Sequence, residues 1–357
     1  MKKILLLLLI LIPISINALE VSATSAILMD TDSNRILYEK NINDVRSVAS
    51  ISKIMTALIA IESGKLDNKV IIGDEVNKAY GSGIYIKEGE ILTLRDLLYG
   101  LMLRSGNDAA LSISKYVGGN TKNFVDMMNE KANMIGMNHT TFNNPSGLDQ
   151  DKGNYSTAYD MAILTSYAMK LDEYRKITST KKYKLTTNKN TYIWNNKNKL
   201  LWAYKYTTGG KTGYTEIAKR TLVSTASKDN INLVVVTLND GNDWQDHKDL
   251  FEYGFNNYTN MSILKKGNIN ITNEKYYEDY TLYIKNNYNY LMNNDEASDL
   301  LLKYQLEKKR KIKNGDCIGK IKVYLSDKLI HEEKIFAKEK KLKKHKNKIS
   351  EWIDNLW

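Results

Sequence analysis

The sequence predicts an α+β fold: an antiparallel sheet flanked by helices, with a helical subdomain, then a small all-β domain and a C-terminal amphipathic helix. Three observations carry this. Strand-like and helix-like segments alternate from residue 20 to about 256. Inside that stretch, "RTLVSTASKDNINLVVVTLND" holds two β-branched runs around Asp229-Asn230, the mark of a hairpin. After about residue 260 the texture becomes short runs rich in Lys, Tyr and Asn.

Residues 1–18 stand apart. Lys2 and Lys3 precede the apolar run Ile4–Ile12, and Ser15-Ile16-Asn17-Ala18 ends on a small residue. This is the pattern of a secretory signal peptide cut near Ala18. The run is short for a membrane span. Read instead as an uncleaved anchor, it still places the remaining chain outside the cytoplasm. The main domain is expected over 19–257. "SATSAILMDTDSNRILYEKN" reads as two strands around Asp30–Asn34. "ISKIMTALIAIESG" reads as a helix, with Ile51, Ile54, Met55, Leu58 and Ile61 at helical spacing and Gly64 as its stop. "TLRDLLYGLMLRS" and "NDAALSISKYVGG" read as helices joined through Ser105-Gly106. "NFVDMMNEKANMIGM" and "AYDMAILTSYAMKL" are two more, and "DHKDLFEYGFNNY" closes the region.

Residues 258–337 are expected to form the small β domain, from "YTLYIKNNYNYLM", "DLLLKYQLE" and "GKIKVYLSDKLIHEEKIFA". It carries no cluster of potential catalytic residues. Residues 338–357 begin with "KEKKLKKHKNK", then place Ile349, Trp352, Ile353 and Leu356 at i, i+3, i+4, i+7 before Trp357. A basic run feeding a tryptophan-bearing amphipathic helix suits an anchor on an anionic membrane surface. A solvated tail is the plainer alternative.

The formal net charge of +11 calls for an anionic partner. Nucleic acid fits an exported chain poorly; a cell wall or an anionic membrane fits better. A single cysteine, Cys317, excludes an internal disulfide framework and a cysteine zinc site. His139, His247, His331 and His345 show no ligand-like spacing, so neither metal nor other cofactor is expected.

Serine followed by lysine three residues on can be a nucleophile and its base. The pattern occurs four times, at Ser50/Lys53, Ser112/Lys115, Ser179/Lys182 and Ser262/Lys265, so spacing alone decides nothing. Ser50 alone sits at a predicted helix start, where unpaired N–H groups and the helix dipole stabilise developing negative charge. Lys53 lies one turn on, on the same face, among Ile51, Ile54 and Met55; desolvation there lowers a lysine's pKa and makes it a usable base. Ser112 falls in a second turn whose backbone donors are already paired, a polar helix face. Two more sets complete the pattern: Ser105-Gly106-Asn107 at a helix junction, and Lys211-Thr212-Gly213 before the hairpin. Alone, the first is an ordinary helix cap and the second a strand-entry turn. The three in this order are the known signature of penicillin-binding proteins and class A β-lactamases.

On these motifs, and on "VASISKIMTA", "LLYGLMLRSGNDAA", "MNHTTFNNPSGLD" and "GGKTGYTEIAKRTLVSTA", the chain resembles the serine D-alanyl-D-alanine carboxypeptidases, the low-molecular-mass penicillin-binding proteins, over about residues 20–256. The resemblance implies a β-lactamase/DD-peptidase-like domain, a peptidoglycan stem peptide ending in D-Ala-D-Ala as substrate, and β-lactam antibiotics as covalent inhibitors. It also implies roles. Ser50 is the nucleophile and Lys53 its base. The N–H groups of Ser50 and Tyr214 form the oxyanion hole. Ser105 relays a proton to the leaving amine, and Asn107 holds the substrate amide and Lys53. Lys211 faces the substrate carboxylate and Lys53, depressing the latter's pKa. Thr212 offers a hydroxyl to the same carboxylate, and Gly213 admits the substrate backbone. His139 and Asp149 are assigned to scaffold. The chain departs from the pattern in "NDGNDWQDHKDLFEYGF", where some members carry a carboxylate-binding arginine; Arg220 is the candidate substitute. A β-lactamase would need a deacylating Glu-x-x-Leu-Asn segment, which is missing. A cross-link-cleaving endopeptidase uses the same machinery, and a non-catalytic wall-binding scaffold would be expected to have lost a motif.

Overall fold

The computed structural model describes residues 19–149, 152–271 and 275–340. The expected leader, 1–18, and residues 341–357 of the expected tail lie outside these. The chain divides into two compact units, Met1–Asn256 and Asn257–Trp357.

The first unit is built on a five-stranded antiparallel sheet: β1 (Ser25–Asp30), β2 (Ile36–Lys40), β3 (Thr207–Thr215), β4 (Lys219–Lys228) and β5 (Ile231–Leu238), in the order β2-β1-β5-β4-β3. Side chains alternate across a strand, so one apolar strand can serve two layers. β1 is buried along its whole length. Ile27 and Met29 join Val234, Val236 and Leu238 in the main core. Leu28 and Leu233 point to the other face, where Gly254 of the last helix lies so close that an added Cβ would stand 2.7 Å from Leu233 and 3.1 Å from Leu28.

The helices are α1 (Lys53–Glu62), α2 (Leu94–Tyr99), α3 (Asn107–Gly118), α4 (Thr121–Met134), α5 (Ala158–Ala168), α6 (Asp172–Ser179), α7 (Leu200–Ala203) and α8 (Asp243–Asn257). α1 is almost wholly buried, which is why its sequence is apolar all round after Lys53. Thr93 closes a reciprocal capping box with Asp96 at the start of α2, and Thr157 caps α5 through the N–H of Asp160.

Three features depart from the sequence reading. The α-helix after Ser50 begins only at Lys53; Ala49–Ser52 form a 3-10 turn. The helix "TLRDLLYGLMLRS" loosens into a π turn over Gly100–Arg104 and stops at Ser105, whose φ of 64° is left-handed. The Lys/Thr/Asn-rich stretch after Ser179, given no element in the sequence reading, is structured: α6 ends there, and Lys182–Thr186 pairs with Thr191–Asn195 as a hairpin. Its alternation of Tyr183, Leu185, Tyr192 and Trp194 with polar residues is the strand signal, hidden by overall polarity. Tyr183 stacks on Tyr99 at 3.8 Å.

The second unit holds a five-stranded antiparallel sheet: β6 (Gly267–Ile269), β7 (Tyr280–Ile284), β8 (Leu300–Leu306), β9 (Cys317–Leu325) and β10 (Lys328–Glu339), ordered β6-β7-β10-β9-β8. Thr259–Leu264 pairs separately with Tyr288–Met292. Its core is Leu264, Leu282, Ile284, Ile318, Ile321, Val323 and Ile335. β10 runs through Glu339, which pairs with Tyr280, so Lys338 and Glu339 belong to the sheet and not to a tail helix.

Candidate active site

The three sequence motifs converge. Ser50 sits in the 3-10 turn just before α1 and Lys53 is the first residue of α1. Ser105 and Asn107 flank the entry to α3, and Lys211 to Tyr214 lie along edge strand β3. A cleft of about 540 Å³ is lined by Ser50, Ser82, Ser105, Lys197, Thr212, Gly213, Tyr214, Arg220, Asp243 and Trp244.

Two left-handed residues lie at the Ser50 turn and at the entry to α3. Ala49, beside Ser50, has φ 49°, and Ser105 has φ 64°. Left-handed conformations cost a non-glycine residue roughly 1–2 kcal/mol and persist only where the surroundings enforce them. The loop after Asn143 does so. Thr56 Oγ1 donates to the carbonyl of Pro145 at 2.7 Å. Gly147, itself at φ 78°, packs so tightly that an added Cβ would lie 2.0 Å from the carbonyl oxygen of Ala49 and 2.5 Å from Ser52 Oγ. Gly147→Ala is expected to lower stability by roughly 2–4 kcal/mol and to cut acylation as well; a melting curve beside a penicillin-labelling rate checks both. On the other side of the turn, Gly213 brings β3 against it: a Cβ there would stand 3.0 Å from the Ser50 nitrogen. That close approach brings edge strand β3, at the residue before Tyr214, against the Ser50 nitrogen.

Lys53 is fully buried. Its Nζ lies 2.9 Å from Ser50 Oγ and 2.7 Å from Asn107 Oδ1, and it donates to the carbonyl of Ser146. The Asn107 amide is oriented by its other end, since Nδ2 donates to the carbonyl of Tyr80 at 2.7 Å. Both Asn107 Oδ1 and Ser146 O are pure acceptors. A neutral amine has two hydrogens, which these two oxygens take. In that neutral form its lone pair is free for Ser50 Oγ, the geometry of a general base. Burial makes the neutral form accessible: it pulls the Lys53 pKa down to about 7, helped by the ammonium of Lys197 and opposed by Asp108.

Lys211 is equally buried and donates to Ser105 Oγ at 3.0 Å. Burial, with Lys53 and Lys197 nearby, holds its pKa well below the ordinary lysine range. Lys53 and Lys211 lie close enough for their charges to oppose one another, as the sequence reading expects. A further ammonium that acts on Lys53 is Lys197, the exposed cleft residue whose Nζ reaches Ser82 Oγ at 3.2 Å. Arg220 does line the cleft, and it is bound bidentately to the nearly buried carboxylate of Asp243 and lies 5.7 Å over the Trp244 ring. Asp149 bridges Ser47 and Thr215, and His139 is held through its N–H by Asp160, both as scaffold.

The second serine-lysine copy behaves as a structural patch. Ser112 Oγ donates to Glu75 at 3.0 Å, and Lys115 pairs with Glu75 and Asp74. Sequence reasoning missed Lys197 and Ser146. Nothing in "NNKNKLLW" marks the first, and the second contributes a main-chain oxygen, which no residue type signals.

A serine with a buried neutral lysine as base, a relay serine backed by a second lysine, and an edge strand beside them define a serine acyl-transfer enzyme. A family model described as D-alanyl-D-alanine carboxypeptidase, peptidase S11, matches residues 13–242, and the chain belongs to this family. Residues 258–342 match a model for the penicillin-binding protein 5 C-terminal domain. The chain is 35% identical over 220 residues to D-alanyl-D-alanine carboxypeptidase DacF of Bacillus subtilis, a match spanning 60% of this chain and 56% of that one. It is 31% identical over 341 residues to DacD of Escherichia coli, spanning 89% and 87%. Penicillin binding protein 5 from Haemophilus influenzae superposes with a TM-score of 0.74 at 27% identity, over 90% of this chain and 97% of that one.

Proposed function

We propose that this chain removes the terminal D-alanine from peptidoglycan stem peptides ending in D-Ala-D-Ala, through an acyl-enzyme at Ser50. The carrying observation is the buried Lys53 amine, 2.9 Å from Ser50 Oγ and held by Asn107 Oδ1 and the Ser146 carbonyl, which can take two hydrogens of the neutral amine and leave its lone pair for Ser50 Oγ. Lys53 takes the hydroxyl proton as Oγ attacks the carbonyl between the two alanines. The N–H groups of Ser50 and Tyr214 hold the oxyanion; such a donor is worth about 10²–10³ in rate. Ser105, hydrogen-bonded to Lys211, relays the proton taken up by Lys53 to the leaving amine, so that Lys53 is again neutral and Ser105 again a hydroxyl. D-Alanine departs, and water cleaves the ester. β-Lactams acylate the same serine. The test is D-alanine release from an N-acylated L-Lys-D-Ala-D-Ala peptide. No release from folded protein that is still acylated by penicillin would sink the carboxypeptidase reading.

Arg220, with Thr212, receives the substrate's terminal carboxylate. The support is its place in the cleft, with one face of the guanidinium fixed by Asp243. Arg220→Gln combined with Asp243→Asn, which strands no buried charge, is expected to raise KM about tenfold with little change in kcat. Steady-state kinetics on the same peptide decides it.

The chain is exported and sits peripherally at the outer face of the membrane through its basic tail. The support is the sequence pattern of residues 1–18 and 338–357; among the described residues no helix is long and apolar enough to cross a membrane. Removing residues 341–357 is expected to release the protein from anionic vesicles while peptide turnover stays unchanged. Co-sedimentation of the shortened chain would overturn the anchor.

A further inference from the structure

Lys53 is held from two sides, and the two differ in kind. Asn107 offers a side-chain oxygen. Ser146 offers its main-chain carbonyl, which also accepts from Ser50 Oγ at 3.4 Å. One oxygen therefore touches both the nucleophile and its base, and its aim decides how the amine is turned. The side chain of Ser146 does not steer that carbonyl; the orientation of the Ser146–Gly147 peptide group does.

That group is planar and trans, so its C=O and N–H point to opposite sides. Holding the N–H of Gly147 thus sets the direction of the Ser146 carbonyl. The holder is Asn144. Its Oδ1 accepts from the Gly147 N–H at 2.7 Å, and from the N–H and hydroxyl of Ser146 at 3.1 and 3.0 Å. The other end of the same amide braces the loop: Nδ2 donates to the carbonyls of Leu148 and Lys152 at 2.9 and 3.1 Å. Asn144 is itself located by the fully buried Asn154. Asn154 Oδ1 accepts from the N–H of Asn144 at 3.1 Å, and Nδ2 donates to its carbonyl at 2.9 Å. The main-chain carbonyl of Asn154 accepts in turn from the N–H of Val48, two residues before Ser50, at 3.1 Å. The contacts run from the nucleophile turn, through two asparagines, to the carbonyl on the base.

We propose that Asn144 is a positioning residue for the proton transfer: through the Gly147 N–H it points the Ser146 carbonyl at Lys53, and so leaves the lone pair of the amine for Ser50. The proposal rests on the assignment of Ser50 and Lys53 as nucleophile and base. It divides one amide by role. Oδ1 aims the carbonyl, and Nδ2 braces the loop.

The test is the rate of penicillin acylation across pH, with melting curves, for Asn144→Ala and Asn144→Asp in the whole protein. The charges acting on Lys53 come from Lys197, Lys211 and Asp108, and neither substitution touches them. Asn144→Ala frees the peptide group, and the plateau rate is expected to fall about tenfold or more. Its acid limb should move to lower pH: a carbonyl that accepts from the ammonium favours the charged form, and its withdrawal favours the neutral one. Asn144→Asp keeps an acceptor for Ser146 and Gly147 and loses both donations. Its plateau is expected to stay within about threefold of the unsubstituted rate. Its acid limb should move to higher pH, since a carboxylate then stands one peptide group from the amine. A role confined to bracing the loop gives a different result: both variants lose the Nδ2 bonds, so both melt earlier and acylate more slowly together, with the limb in place. Asn144→Asp losing about tenfold or more at the plateau overturns the proposal, and so does Asn144→Ala at the unsubstituted rate. The Asp variant decides alone where the Ala variant does not fold. An unsubstituted protein that penicillin does not acylate removes the Ser50 and Lys53 assignment, and the proposal with it.

Discussion

Ser50→Ala is expected to lower D-alanine release on the order of 10⁶-fold, as loss of a serine nucleophile does elsewhere, and to abolish covalent labelling by penicillin. Lys53 Nζ keeps Asn107 Oδ1 and the Ser146 carbonyl, so only the attacking oxygen is lost and the fold is retained. The control is Ser112→Ala in the second copy of the same tetrapeptide. It breaks one hydrogen bond to Glu75, costing about 1 kcal/mol of stability, and leaves turnover within a factor of two or so. Labelling followed by mass spectrometry reads both variants directly. Turnover that survives Ser50→Ala would remove the acyl-enzyme from the mechanism.

The second large effect belongs to the base. Lys53→Met is expected to cost about 10⁴-fold or more in acylation, because among the described residues the other hydrogen-bond partner of Ser50 Oγ is a main-chain carbonyl, which cannot take its proton. In the unsubstituted enzyme the amine must be neutral to act. With its pKa at about 7, activity should fall about tenfold per pH unit below that point and level off above it. The sign follows from the charge: protonation consumes the lone pair. Lys197 is one of the forces holding that pKa down, so Lys197→Met should move the acid limb to higher pH and leave the plateau less affected. A pH profile of the penicillin acylation rate tests this. An acid limb that stays in place in the Lys197 variant would show that burial alone sets the base.

The legible part of the site was the part written in residue types. Ser50, Lys53, Ser105, Asn107 and Lys211–Gly213 announce themselves because the chemistry needs those side chains in that order. The local reason for preferring Ser50 to Ser112 also stood in the sequence, as the position of each on its helix. What lay out of sight depends on long-range closure. Lys53 and Ser146 are 93 positions apart, and the contact uses a carbonyl that every residue has. Lys197 follows a hairpin whose polar composition masked its alternation. The left-handed turn at Ser105 was hidden as well, because tertiary packing imposes it and local propensity opposes it. The strands of the main sheet were legible because burial on one or both faces demands β-branched runs; the π turn was not, since its residues are those of an ordinary helix.

The pairing of Arg220 with Asp243 constrains how this enzyme can evolve. The Asp243 side chain is only 5% exposed, so losing the arginine, itself 43% exposed, leaves that carboxylate without its partner, a penalty of roughly 1–3 kcal/mol once water reaches the vacated side. Losing the aspartate frees the guanidinium from the contact that aims it. Each single step away is therefore selected against, while the joint exchange is not. The two positions are therefore coupled, and a substitution at one is expected to be tolerated better when the other changes with it.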